Sequence, residues 1–282
     1  MIYETLELEI DYGEYARNKC GDKPKLCVMI PNETPETRKY TPSRPSVLIL
    51  PGGAYRYTSD RSAEPVAAEY LTRGFNCFIL RYSVAPSRFP VSLIETGYAI
   101  KLMRENAGKW LVDGERIFLA GFSAGGHLAA SYGALSGSGI LTSVLGGAAA
   151  DYAVRGLILG YPVISDDLEG DFAGTRGSYD NLLGKDPDPE LKRRLCLENA
   201  VTPGFPPCFI AHAADDTVVP AATSIRFAGK LCENGVPFEL HIYEKGGHGF
   251  SIGTKVVCEK EMRLQNWIGE SVSWIRETIG EP

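Results

Sequence analysis

The chain lacks most of what a membrane, nucleic-acid or metal-cluster protein needs. No apolar run among its 282 residues approaches the ~20 positions of a membrane-spanning helix. No block of lysine and arginine stands out, and 29 Lys+Arg against 35 Asp+Glu leave a net charge of −6. That sign excludes a phosphate-binding electrostatic footprint, so no nucleic-acid partner is expected. The first ten residues are acidic and alternating, unlike a secretory leader with its basic and then apolar segments, and the chain is expected to be cytoplasmic. The seven cysteines (Cys20, Cys27, Cys77, Cys196, Cys208, Cys232 and Cys258) are odd in number and contain no C-x-x-C pair. Neither a zinc cluster nor a disulfide framework is expected from that spacing. Cys77 and Cys208 lie in apolar runs and read as buried free thiols.

What is present is a regular alternation. Short apolar runs at 46–50, 75–80, 117–120, 156–160 and 207–211 read as strands, each ending near Pro, Gly or a polar loop. The stretch 238–243 alternates, as an outer or half-exposed strand would. Helical patterns fill 64–73, 91–108, 125–136, 222–234 and 260–278. Strands buried on both faces and alternating with helices imply an α/β class: a mostly parallel sheet with helices on each side. Two earlier segments, 6–10 and 26–30, read as antiparallel strands. The stretch 164–207 breaks the rhythm with Asp, Gly, Pro and a helical piece at 189–197. A connection this long is usually a lid or binding loop. The expected organisation is one domain, 1–282, with an inserted cap at 164–207.

Gly121-Phe-Ser-Ala-Gly125 fits G-x-S-x-G, with an apolar strand running into it and a small-residue helix running out. That setting marks a nucleophile elbow, in which Ser123 is held in a strained conformation above the sheet. A serine needs a base, and the chain has four histidines. His127 follows the serine by one helical turn and is expected to pack there. His212 ends a strand, and His241 lies in the alternating strand. His248, in Lys245-Gly-Gly-His-Gly249, follows the last strand and is the expected base. The acid should close the preceding strand, where Asp215 and Asp216 stand side by side and one can face His248 Nδ1. The glycine-rich stretch Leu50-Pro-Gly-Gly-Ala-Tyr55 follows the third strand and can offer N–H donors to an oxyanion. One donor is expected from Ala124, the other from Gly52 or Gly53.

Pro51-Gly-Gly-Ala-Tyr55, Leu80-Arg-Tyr-Ser-Val-Ala-Pro86, Gly121–Ala129, 212–220 and 236–243 with Gly247-His-Gly249 stand in one order along the chain. Together they resemble α/β-hydrolase esterases of the hormone-sensitive-lipase and acetylxylan-esterase-like type. The resemblance implies an α/β-hydrolase fold with a small cap. It implies a serine carboxylic-ester hydrolase acting on short acyl, chiefly acetyl, esters without metal or other cofactor, many relatives acting on acetylated sugars. A D-x-V-V-P spelling common among such hydrolases favours Asp216, while a D-D-x-V spelling would favour Asp215. Ala54 departs from a third glycine often found there. Tyr55 and Tyr57 follow the glycine loop, where each can either stack on a sugar face or pack beside the site. The competing functions are a general short-chain carboxylesterase, a prolyl-oligopeptidase-type peptidase and a non-catalytic binding module. The expected partner is a small-molecule ester, with no membrane partner.

Overall fold

The computed structural model describes residues 1–15, 23–39, 43–165, 173–259 and 261–281. Among them, eight strands form one sheet: β1 (Ile2–Glu7), β2 (Lys25–Ile30), β3 (Arg44–Leu50), β4 (Asn76–Arg81), β5 (Val112–Phe122), β6 (Gly156–Gly160), β7 (Cys208–Ala213) and β8 (Phe238–Tyr243). Their order is β1-β2-β4-β3-β5-β6-β7-β8. β2 runs antiparallel to both neighbours, and every pair from β4 to β8 is parallel. This is the α/β-hydrolase sheet that the strand–helix alternation implies.

The period of two along β3 divides the core. Val47 and Ile49 join one apolar layer with Val66, Tyr70, Trp267 and Ile275. Leu48 and Leu50 point the other way, into a layer with Ile94, Leu128 and Ala129. Both faces are therefore buried, and each large aliphatic withdrawn from water contributes about 1.5–3 kcal/mol. The helices Glu64–Leu71 and Trp267–Thr278 cover the first layer; Val91–Glu105 and Ala124–Leu135 cover the second. Cys77 and Cys208 are free thiols buried within the strands, and burial pushes both thiols above their ordinary range. Among the described residues, no helix is long and apolar enough to cross a membrane.

Three elements differ from the sequence expectation. The first strand is Ile2–Glu7 rather than 6–10, because its register sets Leu6 opposite Leu26 and the pairing runs back toward Met1. The last helix begins at Trp267 rather than 260, with a 3₁₀ turn, Arg263–Asn266, directly before it; its buried face is Trp267, Ile268, Val272 and Ile275. The β6–β7 connection contains a helix, Ala173–Leu183, absent from the sequence reading. Its two glycines, with Ser, Asp and Asn, give a weak propensity, and burial of Thr175, Ser178, Tyr179 and Leu182 on one side overrides it. The helical piece expected at 189–197 is the helix Pro189–Arg194 followed by a 3₁₀ turn, Leu197–Asn199. Residues 166–172 of the expected cap lie outside the described residues.

Candidate active site

β5 runs into Ser123 and the helix Ala124–Leu135 leaves it. Ser123 has φ 54 and ψ −120, a conformation an L residue adopts only under constraint. Backbone bonds supply the constraint: Ser123 N donates to Gly160 O at 3.0 Å, and Val163 N and His127 N donate to Ser123 O at 3.0 and 3.1 Å. The turn packs against the loop after β3 so closely that a Cβ on Gly125 would lie 2.0 Å from Leu50 O. Only glycine fits there.

Ser123 Oγ lies 2.9 Å from His248 Nε2, and His248 Nδ1 lies 2.7 Å from Asp216 Oδ2. The carboxylate can only accept, so Nδ1 carries the imidazole proton and the serine hydroxyl donates to Nε2. The Asp216 side chain is fully enclosed. Burial by itself would raise its pKa. Hydrogen bonds from His212 and His248 and the Val219 N–H outweigh burial and hold the carboxyl well below the usual aspartate range. Its second oxygen accepts from Val218 N and Val219 N, both at 2.9 Å.

The neighbouring Asp215 points elsewhere. Its Oδ1 accepts from Gly246 N at 2.9 Å and Gly247 N at 2.8 Å, the two residues before His248. Those bonds, the Gly247 one first, lower its pKa, against the opposing effect of partial burial. One aspartate thus contacts the imidazole while the other shapes the loop that presents it.

The remaining histidines have separate surroundings. His127 is buried, with Nδ1 2.9 Å from Tyr55 Oη and Nε2 3.0 Å from Leu195 O. His241 sits on β8, 2.9 Å from Glu239 and stacked on Phe209. His212 is fully buried and touches the site, a contact the sequence reading missed. Its Nε2 lies 3.3 Å from Asp216 Oδ2 and 3.0 Å from Val219 O, and Ser224 Oγ lies 2.8 Å from Nδ1. The i,i+4 spacing of His212 and Asp216 was visible in the sequence. That the chain turns back to close the pair was not.

The loop after β3 separates its two glycines. Gly52 N donates to Ser62 Oγ at 3.1 Å, so that N–H is already engaged. Gly53, at φ +129, would bring a Cβ to 2.0 Å from Tyr57 O. Among the described residues, neither Gly53 N nor Ala124 N has a protein acceptor. Ala54 adopts φ 54, the position where a third glycine would relax the loop. Asn181, from the helix Ala173–Leu183, donates to Ala54 O at 2.8 Å and ties that helix to the loop. Tyr55 is buried with its hydroxyl on His127, which removes it as a sugar platform, whereas Tyr57 is 53% exposed.

These groups border a cleft of about 410 Å³. Ser123, His248 and Gly53 lie on one side, and Gly177, Ser178 and Asn181 of the helix Ala173–Leu183 lie on its wall. Val218 and Val219 supply its aliphatic surface. Among the described residues, no group of three or more His, Cys, Asp or Glu is placed to hold a metal ion.

The BD-FAE family model matches residues 34–231, and the prolyl oligopeptidase family model matches residues 191–273. The chain is 33% identical over 221 residues to endo-1,4-beta-xylanase B of Butyrivibrio fibrisolvens, covering 74% of this chain and 33% of that protein. It is 31% identical over 238 residues to an acetylxylan esterase of Xylanibacter ruminicola, covering 80% and 46%. The chain therefore spans between a third and half of the length of these curated relatives. Among solved structures, an acetyl ester-xyloside bifunctional hydrolase from Caldicellulosiruptor lactoaceticus superimposes with a TM-score of 0.80 at 31% identity, covering 98% of this chain and 96% of that one.

Proposed function

We propose that this chain, which belongs to the BD-FAE family of α/β hydrolases, is a serine esterase that removes short acyl groups, chiefly acetyl, from acylated sugars or xylo-oligosaccharides. One observation carries the proposal: the unbroken series of short contacts from Ser123 Oγ through His248 to a buried, ionised Asp216. The relatives' names, an acetylxylan esterase and an acetyl ester-xyloside hydrolase among them, support the substrate class.

In this reading His248 Nε2 takes the hydroxyl proton as Ser123 Oγ attacks the ester carbonyl carbon. Asp216 holds the imidazole in the tautomer that leaves Nε2 open and stabilises the imidazolium that forms. The carbonyl oxygen becomes an oxyanion, and the N–H groups of Gly53 and Ala124 are the donors assigned to it. The C–O bond to the alcohol then breaks, and His248 returns its proton to the departing oxygen. Water, deprotonated in turn by His248, attacks the acyl carbon; the C–Oγ bond breaks, His248 returns the proton to Ser123 Oγ, and the acid is released. All of these groups belong to the chain itself.

Among the described residues, Val218 and Val219, with Ala54 and the Tyr57 and Tyr161 rings, form a short apolar lining that gives a long acyl chain little to pack on, since each methylene gains ~0.8 kcal/mol only where a wall receives it. The test is a series of acetyl, butyryl, hexanoyl and octanoyl esters beside acetylated xylo-oligosaccharides. kcat/KM is expected to fall steadily from acetyl to hexanoyl, with acetate released from the sugars. A preference for octanoyl with no acetate release would overturn the carbohydrate reading. A peptidase reading has its own support in the prolyl oligopeptidase match, which spans Asp216 and His248 but not Ser123. Cleavage of prolyl amides faster than acetyl esters would favour it.

A further inference from the structure

We propose that the cleft selects esters bearing a carboxylate, and that Arg56 is the residue that reads it, with Arg61 adding to the positive field. The inference rests on the esterase reading above and names the charge of its substrate. The chain carries a net charge of −6. Among the described residues, the lining of its cleft nonetheless includes Arg56 and Arg61 and no aspartate or glutamate.

Among the described residues, no acid forms an ion pair with either arginine. Arg61 is exposed and donates Nη2 to Gly249 O at 2.6 Å, a neutral partner beside His248. Arg56 is exposed on the turn that Gly53 O closes, where Arg56 N donates at 2.9 Å. Its guanidinium has no side-chain hydrogen bond or ion pair among the described residues. The acids closest along the chain are engaged elsewhere: Asp60 and Glu64 both pair with Arg81 at 2.9 Å. Asp216, the acid of the site, is enclosed behind His248, and its oxygens are already hydrogen-bonded.

A guanidinium matches a carboxylate with paired N–H donors, and a cleft with low-dielectric walls focuses the field of both cations on what enters. A neutral acetyl ester would leave that capacity unused. The chemistry recognised is a carboxylate, borne either by the alcohol portion, as on an acidic sugar, or by the acyl portion, as in a dicarboxylic half-ester.

The test uses two matched pairs of esters with the full chain. Para-acetoxybenzoate against para-acetoxybenzamide places the charge on the alcohol side. Para-nitrophenyl succinate against para-nitrophenyl succinamate places it on the acyl side. Rates are normalised to hydroxide hydrolysis, and thermal melts confirm that each variant is folded. The anionic member of one pair is expected to be favoured by about fivefold in kcat/KM, the scale of one exposed ion pair. That ratio should collapse in Arg56→Gln, reverse in Arg56→Glu and persist in Arg56→Lys. It should also fade in the wild type near ~1 M salt, where the Debye length is ~3 Å. Ratios of one in both pairs, or ratios indifferent to Arg56→Glu while neutral esters are still hydrolysed, would overturn this inference and leave the esterase reading standing. A wild-type chain inert toward every ester would remove both.

Discussion

His212 Nε2 lies 3.3 Å from Asp216 Oδ2, so one oxygen of a buried carboxylate faces two imidazoles, His212 at its back and His248 at its front. The back imidazole is itself held by Val219 O and Ser224 Oγ. His212 touches none of the reacting atoms and is a positioning residue. His212→Ala should lower kcat by at least tenfold with little change in KM. It should also cost about 2 kcal/mol of stability, because it leaves buried partners unpaired. His212→Gln, which keeps a donor, should recover part of kcat. Equal loss of stability in both variants with kcat untouched would reduce the residue to packing.

Ser123 should be labelled by an organophosphonate, with the adduct located by peptide mass mapping. Ser123→Ala should lose about six orders of magnitude in kcat, the scale found in another serine hydrolase. His248→Ala should fall similarly, while His241→Ala, on β8 with Glu239 and Phe209 as partners, should stay near the wild type. A crippled His241→Ala beside an active His248→Ala would move the base to the strand.

The adjacent aspartates should separate by activity. Asp216→Asn should lose about 10⁴ in kcat, since the imidazole is left in the wrong tautomer. Asp215→Asn keeps an oxygen for Gly246 N and Gly247 N and should lose less than tenfold, with a stability change of about 1 kcal/mol. The opposite ranking of kcat would assign the acid to Asp215.

Acid stability should report on Asp216 as well. Its native carboxyl ionises below the ordinary aspartate value of 3.8, so the unfolded chain binds that proton more readily than the folded one. The group therefore stabilises the fold fully above that value. Its contribution is lost as pH falls from there through the lower native value. Melting temperatures of Asp216→Asn should fall less steeply below pH 3.8 than those of the wild type. Parallel curves would show that the ionised group contributes nothing to acid stability.

The sequence by itself determined what depends on local pattern. Runs such as Val47-Leu-Ile-Leu50 are apolar at every position, and burial on both faces follows wherever such runs alternate with helices. Gly121-Phe-Ser-Ala-Gly125 is equally local, because the close approach at Gly125 and the strained Ser123 arise within one turn. Flanking glycines and the place after the last strand singled out His248 in the same way. What the tertiary structure decided concerns direction and contact across long separations. Asp215 and Asp216 are chemically identical neighbours, and only the closure of their turn against Gly246, Gly247 and His248 gives them different partners. Gly52 and Gly53 differ because Ser62 returns to occupy one N–H and not the other. Tyr55 turns inward to His127 while Tyr57 stays at the cleft. The helix Ala173–Leu183 forms against its weak propensity because Tyr179 reaches Ile164 O and Leu195 O and Asn181 reaches Ala54 O. Residue type and spacing along the chain encode which groups are available, but where a side chain points is set by partners that folding alone brings within reach.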